Sequence, residues 1–103
     1  MSDSFKAPEN CNDMADVRRG VDATDQQIMD LLERRFGYMR EAARIKQERN
    51  AVRDEGRKAA VISAVKERAE AAHLPAEEIA AIWDRLVETS IAYELREWDN
   101  LRA

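Results

Sequence analysis

The sequence predicts an all-α fold of three helices, the first of them long. Its 103 residues include only three Gly and two Pro, and no Pro lies between Pro8 and Pro75. Most all-β folds need a turn signal every ~8–12 residues, so this scarcity argues against them. Apolar residues make up 45% of the chain and recur at helical spacing, as in long amphipathic helices.

Composition excludes several classes of protein. The net charge is −4 with both signs interspersed, which argues against a basic nucleic-acid surface. A single cysteine, Cys11, excludes an intrachain disulfide, and with one histidine, His73, we expect neither a metal site nor a cofactor. The chain has no apolar run of ~18 residues and its start has no apolar signal-peptide core. We therefore expect a soluble cytoplasmic protein.

The first helix is predicted from about residue 13 to 49, after a short polar lead over 1–12. Asn12 or Asp13 can cap its start by accepting backbone N–H bonds. At ~1.5 Å per residue the helix is ~55 Å long. We assign 13–103 to a single helical domain. The apolar stripe of this helix includes Met14, Val17, Val21, Ile28, Leu31, Leu32, Met39, Ala42 and Ile45.

Two shorter helices follow a break between about Asn50 and Asp54. Asp54 is a plausible N-cap for the second helix, which should end near Ala72. His73 and Leu74 then form the turn. Pro75 suits the first position of the third helix, where no N–H is needed. The third helix is expected to run nearly to the C-terminus.

The length of the first helix favours an intertwined homodimer. A compact chain of about 100 residues has a radius of gyration of ~13 Å, so a ~55 Å helix overshoots it. Its apolar stripe runs the full length, so the overhang needs a partner. The alternative is a helix broken at Gly37 and folded as an ordinary monomeric bundle, because a glycine costs ~1 kcal/mol inside a helix.

Polar residues within the apolar stripes are the candidate functional residues. Arg35 and Lys46 lie on nearly one face of the first helix, and Arg18 borders the stripe. Ser90 and Glu94 lie four residues apart in the third helix. Each could simply set helix register or extend past its apolar stem to water. Together they favour an anion site, since Glu94 alone cannot neutralise three cations.

Spacing places a constraint on such a site. Arg18 and Arg35 are 17 residues apart, or ~25 Å along a helix, so they cannot hold one small ligand from the same chain. In an antiparallel dimer, Arg18 of one chain approaches Arg35 of the other. The site would then straddle two subunits and occur twice.

At these residues the sequence resembles the all-helical chorismate mutase family, which includes the isochorismate-pyruvate lyases. The resemblance covers about residues 8–101 and implies intertwined dimers of three-helix chains. No single motif is specific to the family, but the order and spacing of the motifs taken together are. The motifs are Met14–Arg18, Val21 and Asp22 with Asp25, Leu31–Arg35, Ala43–Lys46, Val52–Asp54 with Arg57, and Val87–Ser90 with Glu94.

The resemblance implies a role for each matching residue. Arg35 and Arg18 of the partner subunit would grip the two substrate carboxylates, and Lys46 would contact a carboxylate and the ether oxygen. Arg57 would close the site, Asp54 would lie near the substrate hydroxyl, and Ser90 would contact a carboxylate. Catalysis would rest on Lys46, Glu94 and Arg35, with no metal.

Two positions depart from the family pattern. Lys58 stands where many mutases have Glu, so Asp54 or Glu55 would have to supply the hydroxyl contact. Glu94 stands where many relatives have Gln, which donates to the ether oxygen. A carboxylate only accepts hydrogen bonds, so we expect Glu94 to act in its protonated form, which burial favours and Lys46 opposes.

The activity implied first is chorismate mutase, the pericyclic rearrangement of chorismate to prephenate in the shikimate pathway to Phe and Tyr. The second is the lyase that removes pyruvate from isochorismate to give salicylate, since Pro8–Cys11 and Met14 resemble the lyase branch. The segment Val52–Asp54 with Arg57 looks more like the mutases. The residues also leave open an amino-substituted chorismate as substrate, and a non-catalytic helical dimerisation module.

Overall fold

Three α-helices dominate the structure, a computed structural model that describes residues 5–103. No strand occurs in that range, so the predicted all-α class with a long first helix is confirmed. Residues 1–4, at the start of the predicted lead, lie outside the described residues. The chain divides after Gly37 into two compact units, which are described separately. The elements are a 3-10 turn Pro8–Asn10, α1 Met14–Ile45, a 3-10 turn Arg49–Ala51, α2 Glu55–Ala71 and α3 Ala76–Leu101.

In the first unit, two aspartates fix the start of α1. The Asp13 side chain accepts from the backbone N–H of Asp16 at 2.8 Å, so Asp13 is the cap. The nearly buried Asp16 carboxylate accepts from the backbone N–H of Asn12 and from Lys6, both at 3.0 Å, and from Arg19 at 2.7 Å. The bond from Asn12, followed by that from Lys6, lowers the pKa of Asp16 to about 2. Asp16 therefore ties the preceding segment to the first turns of α1.

The helix α1 is continuous through Gly37, as predicted for one long first helix, so the alternative of a helix broken at Gly37 is wrong. Its 32 residues correspond to ~48 Å. It ends at Ile45, four residues before the predicted end at 49. Trp98 of α3 and Arg102, the residue that follows α3, donate to the carbonyls of Ala43 and Lys46 and fix this end of the helix. Helical periodicity does not report such a tertiary contact.

Much of the apolar stripe of α1 is exposed in the single chain. Most of its larger side chains, together with Tyr38, are 38–66% accessible, whereas Leu32 and Met39 are half-buried. The accessible ones are Met14, Val17, Val21, Ile28, Leu31, Tyr38 and Ile45. Among the described residues, the buried apolar side chains are only those of Ala43, Val52, Ala69 and Val87. The chain thus leaves its large apolar residues accessible and buries mostly small ones.

In the second unit, α2 packs against α3 after a tight turn. Asp54 caps α2 as predicted, by accepting from the backbone N–H of Arg57 at 2.9 Å. At the other end, Leu74 N–H donates to the Ala69 carbonyl at 2.9 Å and His73 N–H to the Glu70 carbonyl at 3.1 Å. His73 has φ 59°, the left-handed conformation that usually favours glycine after a helix.

The third helix begins one residue later than predicted. Pro75 is its N-cap rather than its first residue, and Glu77 and Glu78 lie in the first turn, where the helix dipole favours acids. Within residues 5–103, no helix is long and apolar enough to cross a membrane.

Candidate active site

The centre of the site is an ion pair between the end of α1 and the middle of α3. Lys46 Nζ lies 2.9 Å from Glu94 Oε2, and the Glu94 side chain is only 5% exposed. The ammonium also donates to the Val52 carbonyl over 3.5 Å. Lys46 keeps part of its side chain accessible, at 31%. A buried carboxylate is therefore met by a cation that still faces solvent.

The Glu94 carboxyl is not fully satisfied by this contact. The Lys46 ammonium is close enough to Oε2 for an ion pair, but lies outside hydrogen-bond geometry. Among the described residues, no group makes a hydrogen bond to Oε2. A buried oxygen without a hydrogen bond is costly, and native structures rarely leave one without a reason. Oε2 can therefore take a hydrogen bond with a ligand group.

Ser90 lies one turn before Glu94 on α3 and is also buried. Its hydroxyl donates to the Leu86 carbonyl at 2.7 Å. A hydroxyl has one hydrogen, so in this arrangement Ser90 Oγ can only accept from a further group. Contact with a substrate carboxylate, as the resemblance implies, requires the hydroxyl to rotate away from Leu86.

The residues between α1 and α2 approach the same ion pair through Val52. Val52 is buried, and its carbonyl faces the Lys46 ammonium. Asp54 and Arg57 follow and are exposed. The Asp54 carboxylate is engaged in capping α2, so its predicted role near a substrate hydroxyl stays a prediction. The Arg57 side chain is accessible, as a group that closes over a ligand must be.

Lys58 faces α3. Its ammonium lies 2.6 Å from Glu88 and 3.0 Å from Asp84. Arg53 reaches the same Glu88 at 2.7 Å and also contacts Glu55. Hydrogen bonds from Arg53 and then Lys58 lower the pKa of Glu88 to about 2. This ion-pair cluster fastens the start of α2 to α3 and occupies both Lys58 and Glu55.

The two arginines predicted to bind carboxylates belong to the first unit. Arg18 is exposed near the start of α1, and Arg35 is half-buried on the same helix. They lie 17 residues apart on a continuous helix, or ~25 Å. The structure thus brings Lys46 and Glu94 together, sets Ser90 one turn from Glu94, and keeps Arg18 and Arg35 far from each other along α1.

The sequence analysis missed two side chains that contact Lys46. The indole N–H of Trp98 donates to the Lys46 carbonyl at 3.0 Å. The Arg102 guanidinium donates to the same carbonyl at 2.7 Å. The available signal was spacing, because Glu94, Trp98 and Arg102 recur every four residues on one face of α3.

Within the described range 5–103, no group of three or more His, Cys, Asp or Glu side chains could hold a metal ion. The site instead consists of a buried carboxyl and a partly accessible ammonium. Groups of this kind can stabilise charge that develops on an oxygen. The fold and the site define an all-helical protein with a buried carboxyl–ammonium pair between the end of α1 and α3.

Comparison with known proteins identifies the family. Residues 17–95 match the model of chorismate mutase type II. The chain is also 30% identical to the isochorismate pyruvate lyase of Pseudomonas aeruginosa, over 98 residues that cover 95% of this chain and 97% of that protein. The chain belongs to the chorismate mutase type II family.

The cluster around Glu88 predicts a stability that depends on pH and salt. Because the pKa of Glu88 is held at about 2 against an ordinary 4.5, its contribution is present above about pH 4.5 and is lost as pH falls towards 2. We expect Glu88→Gln to lower Tm by a few degrees at neutral pH and low salt, since several exposed pairs are broken together.

Thermal unfolding followed by circular dichroism measures this effect. The difference between Glu88→Gln and wild type should narrow in high salt and on acidification. Glu67→Gln, which changes an exposed glutamate of α2, is the matched control and should leave Tm nearly unchanged. An equal loss in both variants would contradict a specific role for Glu88.

Proposed function

We propose that the protein is an enzyme that binds a chorismate-type dicarboxylate and catalyses a pericyclic reaction, with the rearrangement of chorismate to prephenate as the first candidate. The observation that carries this proposal is the buried Glu94 carboxyl, whose Oε2 faces the Lys46 ammonium and makes no hydrogen bond among the described residues. An ammonium and a protonated carboxyl together suit an ether oxygen that gains charge as its C–O bond breaks. Family membership supports the substrate class.

The mechanism needs placed charges rather than a nucleophile. The rearrangement is concerted, so catalysis rests on holding the compact substrate conformer and on stabilising the transition state. Lys46 donates to the ether oxygen, and protonated Glu94 donates from the other side. These bonds raise the rate only if they are stronger in the transition state than in the bound substrate.

The geometry at Glu94 supports its role as such a donor. Its side chain is 5% exposed, and Oε2 lies 2.9 Å from the Lys46 ammonium. In this proposal the neutral acid is the form that acts, because only the neutral acid carries a hydrogen for the ether oxygen.

The remaining groups grip and enclose the substrate. In this proposal Arg35 binds a substrate carboxylate, and Ser90 contacts a carboxylate after releasing Leu86. Arg57 closes the site from the first turn of α2, and Asp54 lies near the substrate hydroxyl. Lys58 is engaged with α3, so it does not oppose the substrate from the position where many mutases have Glu.

We propose further that the protein is a homodimer with shared sites. The exposed apolar stripe of α1 needs a cover, and a second copy of the same stripe provides one. Arg18 and Arg35 lie ~25 Å apart on one helix, so a single small substrate cannot bridge them within one chain. Antiparallel pairing of two α1 helices would bring Arg18 of the partner subunit to Arg35.

The second candidate is removal of pyruvate from isochorismate. The observation that favours it is the similarity to the Pseudomonas aeruginosa lyase over nearly the full length of both chains. Chorismate and isochorismate share the two carboxylates and the ether oxygen, so the same cationic site suits either substrate.

Parallel assays with purified chorismate and isochorismate test the proposal. We expect prephenate from chorismate, and a loss of at least about 100-fold in Lys46→Ala, the variant without the ammonium. Salicylate and pyruvate from isochorismate, without prephenate, would establish the lyase instead. If neither substrate reacts and a dicarboxylate transition-state mimic does not raise Tm, the protein is a non-catalytic helical module.

A donor at Glu94 predicts the outcome of two substitutions. Glu94→Gln carries a permanent N–H donor and should keep its activity, whereas Glu94→Ala carries no donor and should lose at least about 100-fold in kcat. Measurements of kcat for both variants decide this. Equal losses in Glu94→Gln and Glu94→Ala would exclude a donor role for Glu94.

The shared site predicts complementation between two inactive variants. A heterodimer of Arg18→Ala and Arg35→Ala has one site with both arginines and one with neither. An equal mixture that exchanges subunits freely should therefore recover about a quarter of wild-type activity. A mixture of Arg18→Ala with the double variant Arg18→Ala/Arg35→Ala contains no intact site and is the control. No recovery after confirmed exchange would rule out sharing.

A further inference from the structure

The backbone of Lys46 is held by two side chains from the end of α3. Trp98 Nε1 donates to the Lys46 carbonyl at 3.0 Å, and the Arg102 guanidinium donates to it at 2.7 Å. Arg102 also donates to the Ala43 carbonyl at 3.1 Å. Carbonyls in the last turn of a helix lack partners within the helix. Trp98 and Arg102 supply those partners, and we call the pair the carbonyl clamp.

The two residues of the clamp also contact each other. The Arg102 guanidinium stacks on the Trp98 ring, 4.2 Å from its centroid. It also donates to the Trp98 carbonyl at 3.3 Å. The planar fork of arginine reaches two carbonyls at once, which the single ammonium of a lysine does not reproduce. The two clamp residues therefore fix each other as well as the end of α1.

Residues along one face of α3, continued by Arg102 just after it, thus hold both the side chain and the backbone of Lys46. Glu94 meets its ammonium, while Trp98 and Arg102, four and eight residues further, hold its carbonyl. A lysine side chain has four rotatable bonds, so the position of its ammonium depends on how firmly its backbone is placed. A displacement of about 1 Å at a reacting group can cost about 100-fold in rate.

We propose that Trp98 and Arg102 are positioning residues that place the Lys46 ammonium against Glu94 and the substrate. The inference rests on the proposed function, since it assumes that Lys46 contacts the substrate. Arg102 also complements the dipole at the end of α1, a purely structural role. If Arg102 positions Lys46, its loss disturbs the Lys46–Glu94 contact. If Arg102 only caps α1, its loss leaves that contact unchanged.

The test compares Arg102→Ala, Arg102→Lys and Trp98→Phe with wild type. Arg49→Ala is the matched control, because Arg49 pairs with Asp99 of the same part of α3 through two exposed contacts at 2.8 and 3.1 Å but makes no bond to Lys46. We expect Arg102→Ala to lower kcat about 10- to 100-fold with a smaller change in KM. Arg102→Lys should recover part of the loss, Trp98→Phe should lose a few-fold, and Arg49→Ala should stay within about twofold.

A second readout needs no substrate. Carbon-13 NMR of the Glu94 side-chain carboxyl, assigned with Glu94→Gln, reports the approach of the Lys46 ammonium. Its shift should move in Arg102→Ala towards the value in Lys46→Ala, and stay in place in Arg49→Ala. If wild type reacts with neither chorismate nor isochorismate, the proposed function fails, and this shift alone decides on the clamp.

The proposal is overturned if Arg102→Ala and Trp98→Phe leave both kcat and the Glu94 shift as in wild type. It is also overturned if Arg49→Ala changes them equally, because the effect would then be a general loosening of the helix ends. Should Arg102→Ala fail to fold, Arg102→Lys and Trp98→Phe carry the same comparison.

Discussion

The structure depends on a carboxyl that is buried on the packed face of α3. Glu94 is 3% exposed, and an isolated buried charge is too costly for a small domain to sustain. Lys46 meets it from the end of α1, and its ammonium stays partly in water. That contact joins the end of α1 to α3, and the Val52 carbonyl of the following segment reaches the same ammonium.

Burial separates this pair from the ion pairs between α2 and α3. The cluster of Glu88, Arg53 and Lys58 has more contacts but lies at the surface, where each contact is weak and screened by salt. It fastens α2 to α3 and occupies Lys58, the residue that departs from the family pattern. Burying a carboxylate costs free energy even when a cation pairs with it, and such arrangements are typical of functional sites.

The distribution of apolar side chains explains why a partner is proposed. The buried apolar residues of the described chain are alanines and valines, whereas Ile28, Leu31 and Tyr38 of α1 are about half accessible or more. Burial of apolar surface is the main favourable term in folding. A second chain that covers α1 would supply the core that one chain lacks and would also bring the distant arginines together.

The sequence by itself determined the features that depend on local chemistry. The apolar period marked three helices, and the turn at His73 was placed correctly. Asp54 was recognised as a cap, and Asp13 was one of two candidates for the cap of α1. The polar residues inside the stripes, Lys46 and Glu94, were identified as the candidate site. These features follow from backbone hydrogen bonding and from which face of a helix is apolar, and both can be seen in a short stretch of sequence.

Only the tertiary structure decided which side chains meet between elements. The end of α1 at Ile45, the pairing of Lys58 with α3, and the grip of Trp98 and Arg102 on Lys46 depend on how far one helix is displaced along the next. Helical periodicity reports the face of a helix but not this displacement, and long Lys and Arg side chains can reach several partners from one position. The sequence therefore singled out Lys46 and Glu94 as candidates, and the contact of α3 with the end of α1 brought them together.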